Sequence, residues 1–390
     1  MPGDAGELSP RDVELSVRRR RRLVLVAAGL AVLVPALVLR DWIGAQARAV
    51  TVLSTTLETP VLAGLARRLT DEPRLAETTV AGARATIARP AGVGPWPALI
   101  FVNGATLEGR RHPTVRRLAR GLARAGFVVV VPDVRGLATG SLDGETVDST
   151  IAVARAVAGA SDTRAGRVGL VGVSTGATLA LVAAREPGLA AKVSIVSGVA
   201  PYSDVREVVR IATTGTYRRG GRLERERADP FLLEVVARSL ALAIPAGQER
   251  DALVAALERG DAGVEAGTVA APLGPRAEPV ARVLSNRDPE RFDALYGELD
   301  AVVRARLERL SPLAGAGRVE IAAPVELASG PQDKFFPISE SRAVARIAPR
   351  LRVTVTGALD HAELEPSLSA LPDLARLNGF VVRSLRLAAR

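Results

Sequence analysis

Gly172, Val173, Ser174, Thr175 and Gly176 spell GxSxG between the apolar run RVGLV and the helix-forming run ATLALVAARE. A strand-to-helix turn of this kind strains the serine backbone, and only the smallest residues two positions to either side avoid a clash. Gly172 and Gly176 meet that demand, which makes Ser174 the candidate nucleophile. A serine hydroxyl reacts poorly near neutral pH, so a general base must take its proton and later hand it to the leaving group. The chain has two histidines, His112 and His361, and no cysteine. His361 follows the strand-like LRVTVTG in the loop ALDHAE, where it could meet Ser174. His112 sits in GRRHP, a surface loop opening a helix, and reads as a solvated or capping residue, with substrate contact as the alternative reading.

The base needs a third group to hold its tautomer and to stabilise the imidazolium that forms. Asp333, in GPQD just past the strand-like VELAS, is the first candidate. Asp360 adjoins His361, but side chains adjacent in sequence rarely orient each other, and Glu326 lies inside the strand. Charge developing on a carbonyl oxygen calls for preorganised backbone N–H donors. Thr175, directly after the nucleophile, should supply one. The loop Asn103-Gly104-Ala105 after ALIFV should supply the other, Ala105 first and Gly104 second.

These residues must sit on a scaffold that brings separated loops together. Short runs rich in Val, Ile and Leu predict strands at Glu77–Val80, Ala83–Ala88, Ala98–Asn103, Phe127–Val131, Val168–Val173, Val193–Val196, Val325–Ala328 and Leu351–Val355. Helical patterns at Thr114–Ala125, Thr146–Ala158 and Ala177–Arg185 alternate with them, as in a parallel sheet with helices on its faces. Ser174, Asp333 and His361 all follow strands, and loops beyond the carboxyl ends of parallel strands line the functional edge of such sheets. Residues 199–324 are too long for a crossover. Helices expected at Asp229–Ile244, Gln248–Glu258, Pro289–Glu298 and Leu299–Leu310 make them an inserted helical cap. Within it Arg218, Arg219, Arg222, Arg225 and Arg227 read as a solvated basic loop, with an acidic substrate or anionic lipid as the alternative reading.

The NGA turn, the GVSTG elbow, the GPQD loop and the DHAE loop occur in the order nucleophile, acid, base. With them the chain from about residue 75 to its end resembles an α/β-hydrolase, specifically the dienelactone-hydrolase and acylaminoacyl-peptidase-like esterases with an inserted cap. The resemblance implies an α/β fold with a mostly parallel twisted sheet flanked by helices, and a serine hydrolase needing no cofactor. In one departure, many relatives carry His before the oxyanion glycine, where this chain has Asn103.

From residue 23 to 39 the run LVLVAAGLAVLVPALVL is uncharged and follows five arginines, Arg18 to Arg22. This predicts a transmembrane signal-anchor after a basic cytosolic tail (1–22) and before a membrane-proximal helical stalk (40–74), with the hydrolase domain at 75–390. Positive-inside orientation would place the catalytic domain outside the cytoplasm. A signal peptide cleaved near Ala45-Gln46-Ala47, releasing a secreted protein, is the alternative. The formal net charge of +10 comes without any nucleic-acid motif, so no nucleic-acid partner is expected. Two histidines and no cysteines also leave little for a metal, and no phosphate loop appears. The expected activity is cleavage of a carboxylic ester, small or lipid-like, through an acyl-enzyme. Alternatives are amide or peptide hydrolysis or acyl transfer by the same residues, and a non-catalytic membrane-tethered binding protein on a hydrolase fold.

Overall fold

The computed structural model describes residues 40–57, 60–226, 229–258, 273–317, 319–361, 363–364 and 371–390. The chain divides into two compact units, Met1–Ala47 and Arg48–Arg390. The expected cytosolic tail and transmembrane segment lie outside the described residues. Among the described residues no helix is long and apolar enough to cross a membrane. Residues 48–74, expected as part of a stalk, belong to the same compact unit as the sheet.

That unit is built on strands β1 (Arg74–Val80), β2 (Ala83–Arg89), β3 (Trp96–Val102), β4 (Val128–Pro132), β5 (Thr163–Val173) and β6 (Val193–Val199). A hairpin, β7 (Thr216–Arg219) and β8 (Arg222–Arg225), stands apart, and β9 (Val325–Ser329) and β10 (Leu351–Val355) complete the main sheet. Its order is β1-β2-β4-β3-β5-β6-β9-β10. β2 runs antiparallel to β1 and β4, and the neighbours from β4 to β10 are parallel. Antiparallel alternation needs one wet face, whereas a parallel sheet is covered on both. Accordingly every residue of β4 (VVVVP) and of β9 (VELAS) is buried. This order and sense of strands is that of the α/β-hydrolase fold.

Helix Gly144–Ala158 starts at a capping box: Thr146 N–H donates to Asp143 Oδ1 at 3.0 Å, and Asp143 N–H to Thr146 Oγ1 at 3.1 Å. Together these satisfy two amide groups that a bare helix start would leave without partners. Helices Thr175–Ala184 and Leu371–Ala388 cover opposite faces of the sheet. A Cβ on Gly198 would lie 2.9 Å from Ala177 Cβ, while the neighbouring Ser197 Oγ is 2.9 Å from Ser384 Oγ. On the face of Ser384, helix Pro113–Arg124 approaches the helical residues 48–57 so closely that a Cβ on Gly121 would come within 3.1 Å of Val52 O.

The expected cap helices are present as Pro230–Ala243, Gln248–Glu258, Phe292–Gly297 and Ala301–Glu308. Two further helices, Val205–Thr214 and Gly274–Ser285, and the β7/β8 hairpin were not expected. Gly220 and Gly221, both at positive φ, form the two-residue turn that matches strand twist. Of the basic loop residues, Arg218, Arg219, Arg222 and Arg225 therefore lie on a hairpin, and Arg227 is outside the described residues. Arg218 bonds Asp293, which also accepts from Arg206 and from the buried Arg210 at 2.6 Å. Partial burial opposes the Asp293 charge, but hydrogen bonds from Arg210 and Arg218 overcome it and hold the carboxyl well below the usual range. Apolar residues of the cap, among them Leu232, Leu240, Val280, Leu284 and Phe292, belong to the same continuous core as the sheet residues Ile100, Leu170 and Val196.

Candidate active site

β5 ends at Val173 and a helix begins at Thr175, so Ser174 occupies the single residue in which the chain reverses. Its φ of 54° and ψ of −127° lie in a region that costs an L-residue about 1–3 kcal/mol. Backbone bonds hold it there: Ser174 N–H donates to Val199 O at 2.7 Å, and Ser174 O accepts from Ala177 N–H at 2.9 Å and Thr178 N–H at 3.1 Å. The flanking glycines are sterically required. A Cβ on Gly172 would lie 2.4 Å from the carbonyl carbon of Gly176, and one on Gly176 would lie 2.1 Å from Val102 O. The Ser174 hydroxyl makes no capping bond to its own helix.

Asp333 follows β9 and His361 follows β10, two adjacent parallel strands. His361 Nδ1 lies 2.8 Å from Asp333 Oδ1 and 3.0 Å from Oδ2. Asp333 Oδ1 also accepts from Phe335 N–H at 3.0 Å and Phe336 N–H at 2.9 Å, which fixes the carboxylate plane. A carboxylate facing Nδ1 keeps the proton on that nitrogen and leaves Nε2 as the acceptor. Both side chains are buried, and the rings of Phe335 and Phe336 meet the imidazole edge-on with centroids 4.6 and 5.7 Å away. The two loops close on each other because Gly330 has no side chain: a Cβ there would lie 2.4 Å from Leu359 O. His361 itself has a φ of 52°.

The alternative acids are engaged elsewhere. Asp360 Oδ2 is 3.9 Å from Lys334 Nζ. Glu326 pairs with Arg383 at 3.0 Å, and burial raises its pKa against the opposing pull of that arginine. His112 caps the helix Pro113–Arg124, its Nδ1 accepting from Thr114 N–H at 3.3 Å.

Gly104 packs directly on the nucleophile, where a Cβ would lie 3.3 Å from Ser174 Cβ and 4.0 Å from its Oγ. Thr175 opens its helix, so its N–H has no carbonyl within the helix to bond. Asn103 donates from Nδ2 to Gly109 O at 3.0 Å and ties the loop 103–109 back on itself. Thr106 N–H donates to Leu137 O at 3.2 Å and anchors the same loop to the turn after β4. Ser174, His361, Asn103, Gly104, Ala105 and Thr175 all line one cavity of about 820 Å³. Asp333 stands behind His361 and does not line it.

Several residues here escaped the sequence reading. Phe335 and Phe336 adjoin Asp333 and line the cavity, and Phe231 faces Phe335 from the cap at 6.5 Å. Glu340, deeply buried, accepts from Ser203 N–H at 2.8 Å, Ser203 Oγ at 2.7 Å and Asp204 N–H at 3.2 Å. It thereby ties the segment after Asp333 to the start of the cap. Burial pushes its carboxyl up to about 7 despite the Ser203 and Asp204 hydrogen bonds. Among the described residues no cluster of His, Asp and Glu could hold a metal ion.

The family model of the S15 X-Pro dipeptidyl-peptidases matches residues 83–233, from β2 into the first turn of the helix Pro230–Ala243. No curated protein matches the sequence. Similar solved structures include a dienelactone hydrolase from Anabaena variabilis, 16% identical over 82% of this chain and 100% of that one, with a TM-score of 0.43. An esterase from Pyrobaculum calidifontis is 16% identical over 86% of this chain and 91% of its own, with a TM-score of 0.44. The carboxylesterase EstE1, cloned from a metagenomic library, is 17% identical over 87% and 98%, with a TM-score of 0.43. The family match spans the strands that precede Asn103 and Ser174, and the strand order is that of the α/β-hydrolase fold.

Proposed function

We propose that the protein is a serine hydrolase that cleaves a carboxylic ester through an acyl-enzyme. In this reading Ser174 Oγ attacks the carbonyl carbon, and Nε2 of His361 takes the hydroxyl proton and returns it to the leaving alcohol. Asp333 holds Nδ1–H and stabilises the imidazolium. Thr175 N–H and Ala105 N–H, with Gly104 N–H as the alternative, receive the developing oxyanion. Water then repeats the sequence to release the acid. The observation that carries the reading is that His361, with Asp333 2.8 Å behind it, lines the same cavity as a serine held at positive φ.

The S15 match favours a second reading, hydrolysis of an amide or peptide by the same residues. An aminopeptidase-type site must neutralise the substrate's ammonium, for which a carboxylate is the usual partner. Among the described residues lining the cavity none is Asp or Glu, which supports the ester reading. Labelling with a fluorophosphonate, and turnover of nitrophenyl butanoate against an X-Pro nitroanilide, test both readings. Labelling and ester turnover should vanish in Ser174→Ala, and persistence of either would overturn the assignment. Residues 23–39 are proposed, on sequence alone, to anchor this domain outside the cytoplasm, which terminal sequencing of membrane and secreted fractions would test against signal cleavage.

A further inference from the structure

We propose that the cavity holds a long, unbranched acyl chain threaded between the sheet and the helices on the face of Ser384. The inference rests on Ser174 as the nucleophile and adds the class of acyl group that it carries. The pairing register puts Leu99 and Phe101 of β3, Val171 of β5, and Ile195 and Ser197 of β6 on one face, and all five line the cavity. They form the floor of a limb that runs inward from Ser174. Val52, Leu53 and Thr56, on the helical residues 48–57, make one wall. Leu377, Val381 and Ser384 of the final helix make the other.

The lining suits methylenes. The hydroxyls of the limb at Thr56, Ser197 and Ser384 are already bonded, Thr56 Oγ1 to Val52 O at 2.8 Å and the Ser197 and Ser384 hydroxyls to each other, so an apolar chain strands none of these three. The 820 Å³ lies toward the upper end of ligand pockets, roughly 300–1,000 Å³, far more than an acetyl group needs. The order of events decides which half of the ester enters this limb. The alcohol departs first, while the acyl group stays bonded to Ser174 Oγ until water attacks. The departing half therefore takes the side near Phe231, which is 42% exposed, and the retained acyl half takes the limb floored by Leu99 and Ile195, each 1% exposed.

The test uses the full chain with nitrophenyl butanoate, octanoate and dodecanoate. Each methylene that enters the limb should raise kcat/KM about fourfold, so the dodecanoate should exceed the butanoate by at least about a hundredfold. Leu53→Trp and Val381→Trp, on separate walls, should each lower the dodecanoate-to-butanoate ratio at least about tenfold. A flat or falling profile, or a ratio that neither substitution moves, would overturn the proposal while leaving Ser174 as nucleophile. A binding arm separates the two ideas further. Ser174→Ala, which removes turnover, should still bind cis-parinarate and release it to dodecanoate, and both tryptophan substitutions should weaken that binding. Absence of parinarate binding by folded Ser174→Ala protein would also overturn the proposal. Retained binding in a wild-type protein that cleaves no ester would support the channel and sink the ester-hydrolase reading instead.

Discussion

Asp333 Oδ1 accepts three hydrogen bonds, one from His361 Nδ1 and two from the backbone N–H groups of Phe335 and Phe336. The carboxylate that faces the imidazole is thus locked by its own loop before any substrate arrives. The imidazole in turn is held by two phenyl rings and by a backbone at positive φ.

Asp333→Asn should reduce kcat on nitrophenyl butanoate by about 10³- to 10⁴-fold with KM little changed. The remaining carbonyl oxygen would keep the two backbone bonds, turning the amide nitrogen toward Nδ1. That nitrogen then serves as acceptor, and the proton moves to the face that should receive one from Ser174. Steady-state kinetics with a circular-dichroism check of folding would decide this.

Gly176→Ala should cost about 3 kcal/mol or more, because the new methyl would sit 2.1 Å from Val102 O and 2.4 Å from Asn103 O. Both obstacles are backbone, so the strain must displace β3 or the elbow itself. Urea unfolding measures the loss, and an unchanged midpoint would contradict the close packing of the turn.

Asn103→Ala should destabilise by about 1 kcal/mol and lower kcat about tenfold. The substitution cuts the bond to Gly109 O and frees the loop that carries Gly104 and Ala105. Paired unfolding and kinetic measurements distinguish this from a uniform loss of folded protein, which would lower kcat without altering the rate per active site.

Glu340→Gln should flatten the dependence of stability on pH. The folded carboxyl titrates at about 7 against an ordinary 4.5, so the folded state binds the proton more tightly than the unfolded chain. Its contribution is complete below pH 4.5 and is lost as pH rises through 7, a span worth about 3 kcal/mol. Melting temperatures measured from pH 4 to 8 should fall more steeply between pH 4.5 and 7 for the native protein than for the variant, and run parallel above that window.

The parallel sheet is readable from runs such as VVVVP because strands buried on both faces must be apolar throughout. Partner assignment is constrained because the sequence holds only two histidines, and His361 lies in the loop after the strand-like LRVTVTG whereas His112 opens a helix. The β7/β8 hairpin was obscured by its own side chains. TYRR and RLER show no apolar alternation, and the one clear signal was the Gly220-Gly221 pair. Helix Gly274–Ser285 holds Pro279 inside it, which reads as a break until neighbouring helices are seen to pack around Val280 and Leu284. Glu340 was beyond reach for a different reason. Its partners Ser203 and Asp204 are 137 and 136 residues away, and no local pattern marks a carboxyl for burial.

The cap and the sheet share one apolar core through residues such as Leu232, Leu240 and Val196. A cap built this way is not a transplantable module: exchanging it with that of a relative would open the interior of the host. New selectivity in this chain would come from exchanging single side chains along the cavity walls.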